Sequence, residues 1–173
     1  MHDLASLNSL NSLPAAETEK ELLQCCGSTR WAQQMTAARP FTSLDTLFAS
    51  ANEIWWSLDR NDWLEAFRSH PKIGEKKAAD PVSTQAHQWS GQEQSGIATA
   101  SEETVDSLAT LNRAYEEKFG FIFIICATGK TSGEMLSALR ERLDHDAADE
   151  LPIAAAEQSK ITVLRLKKLL TSG

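Results

Sequence analysis

Apolar residues in this chain recur at intervals of three and four rather than two, a period that suits helices packed on helices and not half-buried strands. The clearest case is Leu44, Leu47, Phe48, Ala51, Ile54, Trp55 and Leu58, an amphipathic stretch of about four turns. Start and stop signals divide the remainder. A helix beginning near Pro14 runs through Leu22 and Leu23, with Gly27 as its stop. Ser28 caps the next, which carries Trp31 and Met35 and ends near Arg39, because Pro40 biases its predecessor away from helical dihedrals. Ser43 starts the long stretch already described. After a turn at residues 59–61, Trp63, Leu64, Ala66 and Phe67 form a short helix that closes at His70, since Pro71 follows directly. Residues 102–118 place Val105, Leu108, Leu111 and Tyr115 on one side, and Gly120 ends them. The expected fold is all-α: a multi-helix bundle in which residues 1–173 form a single domain, with no linker and no internal repeat.

Two regions break the period. Residues 72–88 hold Gly74, Pro81 and many small polar side chains, which reads as a long surface loop, with a helix starting afterwards at the capping box Ser90-Gly91-Gln92-Glu93. Residues 121–127 form a continuous apolar run, either a buried extended segment or a buried helical turn, and the extended connector is preferred. Thr131-Ser132-Gly133-Glu134 is a second capping box, opening a helix through Met135, Leu136, Leu139 and Leu143. A last helix holds Ile161, Leu164 and Leu166 among Arg165, Lys167 and Lys168, with Pro152 in its first turn or at a kink.

Composition narrows the partners. A chain of this mass can bury roughly 70% of its unfolded surface, enough for a core without staples. The net charge is −7 and no basic run exceeds a pair, so a footprint for nucleic acid or an anionic membrane is missing, and a small molecule or a protein is the expected partner. The cysteines are Cys25, Cys26 and Cys126, an odd set with an adjacent pair, which argues against a disulfide framework and for a reducing compartment. No basic-flanked apolar leader, membrane-length apolar run or terminal retrieval signal is visible, so a cytoplasmic location is expected.

Chemistry-bearing motifs are few. His2, His70, His87 and His145 lack metal-ligand spacing, there is no C-x-x-C, and neither a nucleophile elbow nor a phosphate-binding glycine loop occurs. No metal is expected, which leaves acid/base side chains. His70 titrates near neutrality and lies where a helix runs into a loop, so it either transfers protons at a cleft or interacts with the last helical carbonyls. Glu93 is either a capping residue or a carboxylate at a helix N-terminus suited to an anionic substrate, a site Ser90 and Gln94 would share. Arg165 is a surface charge or an anion clamp, with the pattern favouring the surface. Cys126 reads as a small buried hydrophobe, and Lys72, Lys76 and Lys77 as a solvated loop or an attraction for anions.

An ordered set of motifs then carries a resemblance: Trp63-Leu64-Glu65-Ala66-Phe67-Arg68-Ser69-His70-Pro71-Lys72-Ile73-Gly74-Glu75, then Ser90-Gly91-Gln92-Glu93-Gln94-Ser95-Gly96, then Phe119-Gly120-Phe121 onward to Thr128-Gly129-Lys130. Cys25-Cys26-Gly27-Ser28 with Trp31, Arg39-Pro40-Phe41, Lys160-Ile161-Thr162 and Leu164-Arg165-Leu166 extend it over nearly the whole chain. The chain resembles the OHCU decarboxylases, which act on 2-oxo-4-hydroxy-4-carboxy-5-ureidoimidazoline in uric acid breakdown. It departs from that pattern after Leu143, where Asp144-His145-Asp146 replaces an Asn-containing turn and Pro152 follows.

The resemblance implies a cofactor-free, helical, homodimeric enzyme that converts OHCU to (S)-allantoin. It implies His70 as acid/base catalyst alongside Glu93, with Arg165 as the arginine of the last helix and Arg140 and Arg142 as its competitors. Substrate contacts fall to Pro71, Ser90, Gln94 and the backbone of Ile124, Ile125, Cys126 and Ala127. The implied chemistry needs no cofactor, because the carboxylate leaves a carbon beside a ring C=N that accepts its electrons; the protein adds orientation, a proton on one face and charge stabilisation. The alternatives are a decarboxylase of a related ureido acid, or a non-catalytic helical interaction module, for which the amphipathic helices and the Trp55, Trp56, Trp63 segment would suffice.

Overall fold

The computed structural model describes residues 2–74 and 83–171, and side chains from Leu4 onward within them. Among these residues the chain is all-α, with nine α-helices and no sheet: α1 (His2–Ser12), α2 (Ala15–Cys25), α3 (Thr29–Ala37), α4 (Leu44–Ser57), α5 (Arg60–Arg68), α6 (Thr84–Glu93), α7 (Glu102–Phe119), α8 (Ser132–Leu143) and α9 (Ala147–Thr171), with a 3-10 helix at Ser95–Thr99. No helix among the described residues is long and apolar enough to cross a membrane. The chain divides into two compact units, Met1–Ala66 with Ser159–Gly173, and Phe67–Gln158.

In the first unit the expected caps form. Ser28 accepts from the Trp31 amide and Ser43 from the Thr46 amide, each satisfying a donor that the helix itself leaves unpaired. Trp31 is fully buried and still satisfied, because its indole N–H donates to the Ala51 carbonyl at 3.1 Å. Arg39 lies just beyond α3 and gathers loose ends of the neighbouring chain, donating to the carbonyls of Leu10 and Leu13 and to the Thr18 hydroxyl. Two boundaries differ from expectation. Helix α1 precedes Pro14, and α2 ends at Cys25 with Cys26 extended, so Gly27 is not a left-handed stop. Cys26 and Ser28 are both buried, so the chain turns inward here.

The second unit is built on an aromatic cluster. Tyr115 of α7 is buried against Phe119, Phe121 and Phe123 with ring centroids 4.5, 5.8 and 5.4 Å away. Gly120 ends α7 in the left-handed conformation, φ +80°, as its position predicts. The chain then runs without regular secondary structure through residue 127, with Phe121, Phe123, Ile124 and Ile125 buried. A buried segment outside helix and sheet must satisfy its backbone elsewhere. Arg142 Nη1 donates to the Ile124 carbonyl at 2.5 Å, and the Cys126 amide donates to Glu157 Oε1 at 3.2 Å. The Thr131/Glu134 capping box opens α8 with both of its reciprocal bonds formed. In α9, Pro152 is exposed, so water can reach the backbone acceptor its missing N–H leaves.

The first expected capping box is a correction. Ser90-Gly91-Gln92-Glu93 does not open a helix: α6 starts at Thr84 with Ser83 as its cap, and Glu93 is its last residue. Ala86, Trp89, Ser90 and Glu93 are the buried residues of this helix. Their i, i+3, i+4, i+7 spacing is an ordinary inward face, concealed in the sequence because half of it is polar. The expected 72–88 loop is therefore shorter at its C-terminal end; residues 75–82, including Lys76, Lys77 and Pro81, lie outside the described residues.

Candidate active site

Helix α5 ends at Arg68, and the chain leaves it through Ser69, His70 and Pro71, with the His70 amide still donating to the Phe67 carbonyl at 3.1 Å. The imidazole turns inward and is 7% exposed. Its Nε2 lies 2.7 Å from Oε1 of Gln158, a residue of α9 with no solvent exposure. The imidazole is thus held by a side chain 88 positions away in sequence.

Further bonds link the surroundings of His70 to the other candidate residues of this unit. Gly74, with φ +89°, donates its amide to Oε1 of Gln94 at 3.0 Å, which ties the loop after Pro71 to the residue that follows Glu93. Asn112 Nδ2 holds the Ile73 carbonyl of the same loop at 3.1 Å. Glu157, beside Gln158 on α9, accepts from the Cys126 amide. Burial pushes the Cys126 thiol above its ordinary range, and the negative charges of Glu157 and Glu93 push the same way. Both carboxylates therefore act on the 124–127 segment. Cys126 itself is half-buried rather than a core residue, and none of the three cysteines is bonded in a disulfide.

Pro71, Ser90, Glu93, Ile124, Ile125 and Ala127 are buried, while Gln94 is part-exposed at the C-cap of α6. Glu93 and Ser90 are thus residues of a helix C-terminus, not of the N-terminal amide cradle expected from the capping-box spacing. The helix dipole there favours cations rather than anions, so an anionic group near Glu93 gains nothing from α6.

The arginines separate clearly. Arg140 is exposed. Arg142 is buried and occupied by Glu150, at 2.5 Å from its Nε, as well as by the Ile124 carbonyl. Arg165 belongs to the first unit and is 3% exposed, which corrects its expected surface role. Its Nη1 donates at 3.1 Å to the Gln24 carbonyl, one of the acceptors that the last turn of α2 leaves without an intrahelical donor. Lys72 pairs with Glu116 at 2.8 Å.

Gln158 and Glu157 escaped the sequence reading. The signal for Gln158 was present: Glu150, Ala154, Ala155, Gln158, Ile161, Thr162, Arg165, Leu166 and Leu170 are the buried residues of α9, and four of them are hydrogen-bonding side chains; Glu157 lies off this stripe, half-buried. Among the described residues no group of three His, Cys, Asp or Glu side chains is placed to share a metal ion.

Comparison with known proteins places the chain in a family. Residues 11–167 match the family model described as OHCU decarboxylase. A bifunctional uric acid degradation protein, TTL, of Arabidopsis thaliana is 44% identical over 88% of this chain and 47% of its own length. The chain thus spans about half or less of the bifunctional relatives it matches. A 2-oxo-4-hydroxy-4-carboxy-5-ureidoimidazoline decarboxylase of Amia calva is 30% identical over 97% of this chain and 94% of its own. A crystal structure of OHCU decarboxylase in the presence of (S)-allantoin superposes with a TM-score of 0.76 at 40% identity, covering 88% of this chain and 98% of that one. The match of fold and sequence over the same stretch leaves one assignment: the chain belongs to the OHCU decarboxylase family.

Proposed function

We propose that this protein is a carboxy-lyase that converts OHCU to (S)-allantoin in uric acid degradation. The observation that carries the reading is the pair of buried ionisable side chains His70 and Glu93, which sit in the same compact unit of a chain that matches the family over residues 11–167. Evolution seldom leaves an imidazole and a carboxylate buried without a task, since burial disfavours their charged forms.

The chemistry divides into bond breaking and proton traffic. The C–C bond to the carboxylate breaks, and its electron pair forms a double bond to the neighbouring ring carbon as the ring C=N nitrogen takes a proton. The resulting enol then gives up its hydroxyl proton while the ureido-bearing carbon gains one on a single face, which yields a chiral product. Glu93 suits the hydroxyl proton. His70 suits delivery to the ring, because an ordinary imidazole pKa of ~6.5 lies nearer neutrality than that of a carboxylate. The backbone of residues 124–127, together with Pro71, Ser90 and Gln94, supplies the contacts that orient the substrate in this reading. A tight ion pair between an arginine and the leaving carboxylate would stabilise the ground state rather than the transition state.

The reading includes a homodimer in a reducing, cytoplasmic setting, with no cofactor taking part. The deciding experiment generates OHCU afresh from urate with the two preceding enzymes and follows its decay by circular dichroism with and without this protein. Faster, stereoselective formation of allantoin is expected. Decay at the spontaneous rate would leave a non-catalytic helical module, and turnover of only a different ureido acid would move the activity to a relative of this substrate. Light scattering of the purified protein reads the dimer.

A further inference from the structure

We infer that Gln158 is a positioning residue for the reaction: its amide oxygen fixes the tautomer and the plane of the His70 imidazole, so that Nδ1 is the nitrogen that exchanges protons during turnover. The inference rests on the proposed catalytic role of His70.

The argument starts from what an amide oxygen can do. It accepts and never donates, so an imidazole nitrogen 2.7 Å from Gln158 Oε1 must carry a hydrogen. That nitrogen is Nε2. In the neutral ring one nitrogen is protonated and the other is an acceptor, which leaves Nδ1 as the acceptor. The partner is also placed to be rigid. Gln158 has no solvent exposure, sits inside α9, and lies next to Glu157, whose carboxylate is occupied by the Cys126 amide.

The partner's lack of charge is the second part of the argument. A carboxylate bonded to an imidazole stabilises the imidazolium and raises its pKa, as in proton relays that use an Asp to hold a His. An amide orients the ring without that field. A group that must both take and release a proton near neutrality is best left close to its ordinary pKa. Two acidic side chains of the same unit, Glu93 on α6 and Glu157 beside Gln158 on α9, already act on Cys126, and Lys72 beyond Pro71 is paired with Glu116. A further negative charge at position 158 would add to the carboxylates, which makes the neutral glutamine a meaningful choice at this point on the helix.

The test uses the full chain and three readouts. Nitrogen-15 NMR of the imidazoles in the unsubstituted protein is expected to give His70 as the Nε2–H tautomer above its pKa. Gln158→Glu is expected to move the limb of the pH–rate profile that belongs to His70 upward by about one to two pH units, with the NMR titration of His70 moving by the same amount. Gln158→Leu is expected to mix the tautomers and to lower kcat by roughly tenfold or more with little change in KM, the mark of lost orientation rather than lost binding. A Nδ1–H tautomer in the unsubstituted protein overturns the inference, as does a Gln158→Leu enzyme with unchanged kcat. His70→Ala separates the two levels: full activity there removes the catalytic reading of His70 itself, whereas an inactive His70→Ala beside a normal Gln158→Leu removes only the role of Gln158. The NMR arm does not depend on either variant folding.

Discussion

Arg142 of α8 donates Nη1 to the carbonyl of Ile124 at 2.5 Å, so a guanidinium, not a neighbouring strand, holds the buried apolar segment in place. The same guanidinium is fixed from behind by Glu150, whose carboxylate also receives the Tyr115 hydroxyl at 2.5 Å and approaches His145 Nδ1 at 3.0 Å. Arg142 and Glu150 are 8% and 0% exposed at their side chains, so the pair is removed from water at both ends.

Removing one partner of a buried pair costs more than the pair contributes. Arg142→Met leaves Glu150 charged in a dry site and unties the Ile124 carbonyl, with an expected loss of about 3–5 kcal/mol in urea denaturation. Arg142→Lys keeps the charge but cannot fork between the carboxylate and the carbonyl, so it should fall between the two. A Met variant within ~0.5 kcal/mol of the parent, the range of ordinary surface changes, would show that this network does not hold the segment.

The candidate acid and base make separate demands. His70→Ala should lower stereoselective allantoin formation by about 10²–10⁴, the usual worth of a positioned proton-transfer group, while the far-ultraviolet dichroism remains that of a helical protein. Glu93→Gln keeps the shape of the α6 face and removes only the ability to take a proton, so it should also lose activity. Unchanged turnover in either variant takes that residue out of the mechanism.

The buried cysteine of the first unit has a pH signature. Burial pushes the Cys26 thiol up to about 12, with the Ser28 amide, the Thr162 side chain and the Arg165 charge opposing only in part. A folded pKa above the unfolded value means that the thiol contributes stability below about 9, where it is protonated in both states, and that this is lost as pH rises toward 12. Urea midpoints at pH 7.5 and above pH 10 should therefore diverge more for the parent than for Cys26→Ala. Cys26 should also resist alkylation at pH 8 until the protein is unfolded, because the thiolate is the reactive form.

Two glycines make a matched pair. A Cβ on Gly96 would come 2.3 Å from the Lys130 carbonyl oxygen, a backbone atom that cannot swing aside. Gly96→Ala should cost about 1–3 kcal/mol, as overpacking does. Gly133 lies in the first turn of α8, where a Cβ would meet only the Thr131 hydroxyl at 3.9 Å. Gly133→Ala should therefore raise stability by about 0.4–1 kcal/mol through the unfolded chain, and thermal denaturation of the two variants reads both signs.

Several helix ends were legible from a local rule, although Gly27 was not the stop its position suggested. Ser28 and Ser43 cap, Gly120 takes the left-handed stop, and the Thr131/Glu134 box closes, because each depends on residues within one turn. The same local rule misled at Ser90 and Glu93. An i, i+3 pair of serine and glutamate is both a capping box and two adjacent positions on an inward helical face, and only the preceding cap at Ser83 distinguishes them. Arg165 misled for a related reason: a lone charge in an apolar stripe reads as solvated until the Gln24 carbonyl that receives it is known.

The sequence by itself determined the helical class, most caps, the buried apolar run outside the helices and the family, since periodicity, capping and motif order are properties of neighbours along the chain. The tertiary structure decided what each buried polar group faces. His70 meets Gln158 across 88 positions of sequence, and Arg142 reaches back to Ile124. Such pairings follow from how helices pack, and burial then makes each bond obligatory, because a polar group taken out of water must find its partner wherever the fold has carried it.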